Sequence, residues 1–280
     1  MKWARANLTI SRPSGGYTII EIMIVLAITG VIFVSAIALF NGQGAETSFN
    51  QAVSDLSSEL STQAKSVSAS QFYGAQGYGC MITFTGNPPS PRATLNGSGS
   101  GGTNQDCLSI GKAFEAISST NDIFIYNVLG NRLTYSSGTP VGPASSLAEA
   151  NPTIAVVSGA DLSTDYKLGG GLKIISSSVT DSAGQLSPSS LIGYYVDFNG
   201  GSSASQSGAV LTAKAYNLGA GSHNLAAAKA CVEGSGCSAP SDISLWQLCL
   251  ESSDAKRRAL LVISNSAAGV TTNLKFESCS

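Results

Sequence analysis

The chain has 280 residues, of which 43% are hydrophobic and only 11% charged, well below the roughly 25% charge typical of soluble globular chains. Its 15 basic and 17 acidic residues nearly cancel, which argues against a general nucleic-acid binder, since such a protein needs a basic surface to displace counterions from phosphate. Thirty-one glycines and a single histidine, His223, fit an extracellular, turn-rich β protein better than a cytosolic enzyme or a Cys/His metal protein.

In chain order, residues 1–16 carry Lys2, Arg5 and Arg12 and no acid. Without them the balance is 12 basic against 17 acidic residues, a formal −5. Residues 17–40, "YTIIEIMIVLAITGVIFVSAIALF", follow, and Glu21 is their only carboxylate. About 20 apolar residues suffice to cross a bilayer as a helix. A cleaved secretory signal has a shorter apolar region and a small-residue cleavage site after it. Basic residues precede the span, and none follows it before Lys65. The positive-inside rule therefore puts the N-terminus in the cytoplasm and everything after about residue 41 outside. A carboxylate within a span costs a few kcal/mol, and such residues usually have a partner and a function. The plainer reading of Glu21 is a hydrated side chain at headgroup level.

The order of residues around Glu21 sharpens the reading. "PSGGYTIIEIMIVLAITGVI" resembles the prepilin signature shared by type IV pilins and the pseudopilins of type II secretion systems. The likeness covers about residues 12–40. It implies a basic leader, 1–16, cut after Gly16 by a dedicated membrane peptidase, and an N-methylated Tyr17 as the new N-terminus. Tyr17 replaces the commoner Phe and keeps its aromatic character. Glu21 becomes the fifth residue of the mature chain, and its implied partner is the amine of Tyr17 on a neighbouring subunit. The implied partners are other copies or related pilins in a filament, the prepilin peptidase/methyltransferase, an inner-membrane assembly platform, and the membrane itself before assembly. The implied location is a single-pass inner-membrane protein whose head ends in an extracellular pilus or pseudopilus.

Past residue 40, Ala45, Phe49, Val53, Leu56, Leu60, Ala64 and Val67 recur at steps of three and four, with Glu46, Asp55, Glu59 and Lys65 between them. This is one apolar stripe of an amphipathic helix. The reading is one helix from about Tyr17 to about Ser70, about 80 Å long at 1.5 Å per residue. Gly30, Gly42 and Gly44 are its weak points, each costing up to about 1 kcal/mol relative to Ala.

Beyond residue 70 the pattern predicts strands at 81–85, 123–128, 153–157, 172–175, 193–198, 209–216, 245–250, 259–264 and 271–276. Those at 245–250 and 259–264 form a hairpin across "ESSDAKRR". Residues 85–106 are Pro, Gly and Ser rich and read as an exposed loop too weakly hydrophobic to order itself. The expected fold is therefore α+β: a long N-terminal helix, membrane anchor plus amphipathic half, packed on an antiparallel sheet head with long loops. Its parts are leader 1–16, apolar helix 17–40, amphipathic half 41–70, and β-rich head 71–280.

Cys80, Cys107, Cys231, Cys237, Cys249 and Cys279 form an even set, all after the apolar run and none in C-x-x-C spacing. Disulfides in an oxidising compartment fit that usage. Sequence alone leaves many pairings open; Cys80–Cys107, Cys231–Cys237 and Cys249–Cys279 are favoured. "CVEGSGC" then closes a small loop of the sort used in adhesion or subunit contact, or simply a stapled turn.

No nucleophile elbow or P-loop is present, and the expectation is a structural protein, with no metal and no cofactor. "FNGGSSASQSG" reads as a turn between strands rather than a phosphate cradle, and His223 in "GAGSHNLAAA" as a loop-to-helix residue rather than a base. Lys256, Arg257 and Arg258 form the one basic cluster. They are a solvated hairpin tip or, in the sharper reading, a DNA contact like that of some DNA-recruiting minor pilins. The size and loopiness of the head favour a minor or specialised pilin. A secretion pseudopilin, a DNA- or ligand-binding minor pilin, and a membrane-tethered enzyme are the alternatives.

Overall fold

A computed structural model describes residues 16–68, 78–84, 88–95, 107–157, 160–161, 163–198, 211–218, 223–266, 269–276 and 279. The leader before Gly16, most of the 85–106 segment and the Gly/Ser stretch after Phe198 lie outside the described residues. The chain divides into two compact units, Met1–Thr47 and Ser48–Ser280.

Helix α1 (Ile19–Ser68) supplies residues to both units. Its backbone stays helical through Gly30, Gly42 and Gly44, where the sequence suggests local unwinding. In the second unit the apolar stripe is buried: Phe49, Val53, Leu56, Leu60, Ala64 and Val67 all lie in the core, joined by Ala52. Ala45, the expected start of that stripe, is exposed and belongs to the first unit. Gln63 is also buried, although it is polar.

The second unit is mostly antiparallel sheet. Strands β1 (Tyr78–Thr83) and β2 (Ser90–Leu95) form a hairpin. Strands β3 (Cys107–Ala116) and β4 (Asp122–Asn131) form a longer one. Short elements follow: β5 (Leu133–Ser136), β6 (Thr139–Pro143), β7 (Thr153–Ile154), β8 (Val156–Val157), β9 (Ala160–Asp161) and β10 (Thr164–Lys167). The remaining strands are β11 (Lys173–Asp181), β12 (Leu186–Pro188), β13 (Leu191–Val196), β14 (Leu211–Tyr216), β15 (Ser241–Glu251), β16 (Arg258–Ser266) and β17 (Gly269–Lys275). The main sheet runs β10-β4-β3-β13-β14-β15-β11-β12, with β16 also on β15, β17 on β16, and β7 on β4.

β14 meets β15 only at Lys214↔Asp242 and Ala215↔Ser241, and Lys214 Nζ lies 2.8 Å from Asp242 Oδ1 there. Beyond that junction β15 pairs with β16 from Leu245 to Glu251. The sheet thus branches at β15, and the large side chains of Phe114, Tyr194 and Trp246 fill the core, with Phe114 touching both of the others.

Several strands depart from the sequence reading. β2 lies inside the segment read as an exposed loop. Pairing with β1 satisfies its backbone, Pro89, Pro91 and Ala93 are buried, and Asn131 Nδ2 donates to the Pro89 carbonyl at 2.7 Å. β3, buried along its whole length, went unread because Gly111, Lys112 and Glu115 break its apolar pattern. Gly111 is required by space, since a Cβ there would sit 2.5 Å from the Tyr194 carbonyl and the Tyr195 ring. β5, β6, β10 and β12 are short, mostly exposed strands without an apolar alternation to mark them.

A second helix, α2 (Leu225–Val232), follows the loop-to-helix residue His223 and adds to α1 in the α+β fold. The Asn224 side chain caps it by accepting from Ala227 N–H at 3.0 Å. Disulfides join Cys80 to Cys107, Cys231 to Cys237 and Cys249 to Cys279. The first ties β1 to β3, the second closes the turn after α2, and the third fastens the segment after β17 to β15.

Leu56 is fully buried in this core. Leu56→Ala is expected to destabilise the second unit by about 2–5 kcal/mol, measured as a lower denaturation midpoint of Trp246 fluorescence in the detergent-solubilised chain.

Candidate functional site

The first unit begins with a reciprocal hydrogen-bonded start to α1. Thr18 stands immediately before the helix, and Glu21 is its third residue. Glu21 Oε2 accepts from Thr18 N–H at 2.9 Å and from Thr18 Oγ1–H at 3.0 Å, while Glu21 N–H donates to Thr18 Oγ1 at 3.3 Å. This is a capping box, in which two otherwise unsatisfied backbone donors of the first turn are paired. The acid that stands out in the sequence therefore has a local role in starting the helix. The box turns the carboxylate back toward Thr18 at the helix start. Only one of its oxygens, Oε2, is engaged by Thr18.

Downstream, Ile19–Ile37 is an apolar helical stretch of mean hydropathy 2.6, long enough to cross a membrane, and none of it is buried within the chain. Ile22, Leu26, Val31, Phe33 and Val34 are all exposed. Fully burying such a side chain is worth about 1.5–3 kcal/mol, so the stretch carries a large unrealised free energy. Thr29 and Ser35 return their hydroxyls to the carbonyls of Val25 and Val31, both at 2.8 Å, so neither needs an outside partner.

In the second unit, the basic triplet sits at the tip of the β15–β16 hairpin. Arg258 pairs with Glu251 at 2.7 Å and Arg257 with Asp254 at 3.4 Å, and the Lys256 backbone N–H donates to Asp254 Oδ1 at 3.2 Å. Three cations thus face two carboxylates, and the tip presents a net single positive charge. His223 lies at the surface. Its ring stacks on Phe124 with centroids 3.7 Å apart, and Nδ1 lies 2.9 Å from Glu115 Oε2 and 3.0 Å from the Tyr126 hydroxyl. Tyr126 also donates to Glu115. Glu115 and Tyr126 are each 1% exposed, so the arrangement satisfies a buried carboxylate, while the side chain of His223, 34% exposed, reaches solvent.

On the other face of β3, Lys112 donates to Gln63 of α1, and Gln63 Nε2 donates to Glu59 Oε1 at 2.7 Å. Burial pushes the Lys112 amine down to about 8, against the opposing pull of the Glu59 charge. Sequence reasoning missed both clusters. Gln63 falls outside the three-and-four apolar stripe, and Lys112 and Glu115 interrupt the apolar pattern of their strand. A cavity of about 580 Å³ lies between Ile117, Thr120, Ser177, Pro188 and Asn217, with no titratable side chain in its lining. The Ser177 hydroxyl there is already taken by Trp246 Nε1 at 3.0 Å. Among the described residues no three His, Cys, Asp or Glu side chains cluster as metal ligands.

Residues 11–37 match the family model described as the prokaryotic N-terminal methylation motif. This is the signature of type IV pilins and pseudopilins, and it supports a pilin-like or pseudopilin-like subunit. It implies processing by a prepilin peptidase and assembly into a filament, and it fits an inner-membrane anchor that ends in a surface filament. No curated protein and no solved structure matches the chain.

Thr18→Ala removes one half of the capping box. It is expected to cost about 0.5–2 kcal/mol of helix-start stability, read as faster hydrogen exchange at the amides of residues 19–21 in micelles, with exchange beyond residue 25 unchanged.

Proposed function

We propose that the chain is a prepilin-like structural subunit, cut after Gly16, methylated on Tyr17, and assembled with other copies or related pilins into a type IV pilus or pseudopilus. The observation that carries this reading is the apolar stretch Ile19–Ile37, none of it buried, within the methylation motif at residues 11–37. Such a surface needs either lipid or the same surface of a neighbour. Lipid serves before assembly, and packed helices serve after it. The leader 1–16 is a processing signal, 17–40 the anchor and filament core, 41–70 the amphipathic half of the helix, and 71–280 an extracytoplasmic head.

In a filament interior the Glu21 carboxylate must meet an opposite charge, because an unpaired buried ion costs several kcal/mol. The amine of a neighbouring Tyr17 supplies it. Peptide cleavage creates that amine, and methylation leaves it basic. Thr18 already holds Glu21 Oε2, and Oε1 is the atom assigned to the neighbour. Register along the filament then follows from one ion pair per subunit. The branched, disulfide-tied head is large for a repeating unit, which favours a minor or specialised role. The hairpin tip is not assigned to DNA, because Glu251 and Asp254 hold two of its three cations.

Glu21→Ala is expected to abolish assembled polymer while leaving membrane insertion intact, measured as sheared filament yield against the amount of chain in the membrane fraction. Glu21→Gln, which keeps the hydrogen-bonding shape of the capping box, separates charge from capping and is expected to lose assembly as well. Normal polymer yield in either variant overturns the role of the acid.

A further inference from the structure

The Lys112–Gln63–Glu59 cluster has a composition that salt bridging alone does not explain. An amine and a primary carboxamide meet at the centre of the second unit, each with its residue only 1% exposed. β3 is held between β4 and β13, and Gln63 sits on the buried stripe of α1 between Leu60 and Ala64. Neither residue can drift from the other without unpacking the core. Lys112 Nζ donates to Gln63 Oε1, which brings the nitrogen to within hydrogen-bond reach of an oxygen only about 1.2 Å from the carbonyl carbon Cδ. On the leaving-group side, Gln63 Nε2 donates to Glu59 Oε1 at 2.7 Å. The nucleophile therefore touches the carboxamide that holds the electrophilic carbon, and the proton carrier touches the leaving nitrogen, with its charge felt at Lys112.

We propose that Lys112 and Gln63 are a site of self-catalysed modification: an intramolecular amide forms between Lys112 Nζ and Gln63 Cδ, with Glu59 moving the proton, and it staples α1 to the central strand β3. The lone pair of neutral Nζ forms the new C–N bond. The Cδ–Nε2 bond breaks with its electron pair on Nε2, and ammonia leaves. One proton passes from Nζ to Nε2 through the Glu59 carboxyl. An amine and a primary amide thus become a secondary amide and ammonia, with no oxidant, reductant or co-reactant. Burial supplies what the reaction lacks in water. It fixes the reacting groups in contact, which is worth orders of magnitude in effective concentration. It also lowers the ammonium toward about 8, so that an appreciable neutral fraction exists near neutral pH. Product formation removes a buried cation, and with it a desolvation cost.

The placement differs from that of the three disulfides, which join β1 to β3, close the turn after α2, and hold the chain end on β15. None of them ties α1 to the sheet. An amide at Lys112 does so, and it survives reduction. Such a bond belongs to the fold of the second unit and is independent of filament assembly.

The test uses the full chain purified from membranes, denatured, reduced, alkylated and cut by an endoproteinase that cleaves before aspartate. Gln63 then lies in the fragment 55–105 and Lys112 in the fragment 106–121. After reduction nothing except an amide joins them. The expected result is one species whose mass is the sum of the two fragments less one ammonia, with fragmentation placing the bond between Lys112 and Gln63. Lys112→Met and Glu59→Gln are each expected to release the two fragments. Separate recovery of both fragments from the unmutated chain overturns the proposal, as does a bond at another pair of residues. A linked species persisting in Glu59→Gln overturns the role of Glu59 as proton carrier. Because the unmutated chain alone decides the main question, a variant that fails to accumulate does not blunt the test.

Discussion

The constraint on which the rest of the molecule depends is an absence of burial. Between Ile19 and Ile37 the chain offers an apolar helix none of which its own fold covers. Apolar surface in water is costly in proportion to its area, so a chain that builds a dense core elsewhere and leaves this stretch bare is incomplete by itself. The bilayer and the packed helices of a filament are both solvents for such a surface, and movement from one to the other needs no refolding of the helix. What the move changes is the cost of a charge. Near a headgroup Glu21 is hydrated; inside a helical bundle it is not. In the proposed assembly the single acid is the group whose cost changes between the two environments, and the capping box with Thr18 engages it at the helix start.

The second unit solves a different problem. Its sequence is rich in Gly and Ser, so backbone entropy weighs heavily against folding. The compensation is a continuous apolar core from Phe49 on α1 to Val270 on β17, with three disulfides at its margins. Several of its large buried polar side chains find partners. Tyr195 and Tyr216 join their hydroxyls at 2.6 Å, Trp246 donates to Ser177, and Glu115 takes both Tyr126 and His223. Unpaired, each of these groups would cost on the order of 1–3 kcal/mol. The sheet branch at β15 needs only a two-residue contact with β14, and Lys214 and Asp242 bring an ion pair to that short contact.

The sequence was most informative where one physical signal dominated. Uniform hydrophobicity marked residues 17–40, and the three-and-four spacing of Phe49, Val53, Leu56, Leu60, Ala64 and Val67 marked the buried face of α1. β-Branched and aromatic runs marked β4, β13, β15, β16 and β17. Legibility failed where two demands met in one element. β3 must pass closely behind Tyr194 and Tyr195, hence Gly111, and must place Lys112 and Glu115 on opposite faces; both needs erase the strand pattern. β2 is held by its neighbours, through β1 pairing and the Asn131 contact to Pro89, and composition carries no trace of such support. The candidate site divides in the same way. Gly16, Tyr17 and Glu21 stand in a contiguous motif, whereas Lys112, Gln63 and Glu59 come together only through the packing of α1 on β3. His223 gave a single residue in a loop, and its stacking on Phe124 has no linear signature.

The central claim is that this chain is processed after Gly16 and leaves the bilayer in a polymer. Mass spectrometry of filaments sheared from the cell surface tests it most directly, searching for a peptide that begins at N-methylated Tyr17. That peptide is expected in the filament fraction or, for a pseudopilus subunit, in the assembly-competent membrane fraction. Recovery of chain still carrying an intact Met1–Gly16 leader from those fractions would contradict the claim.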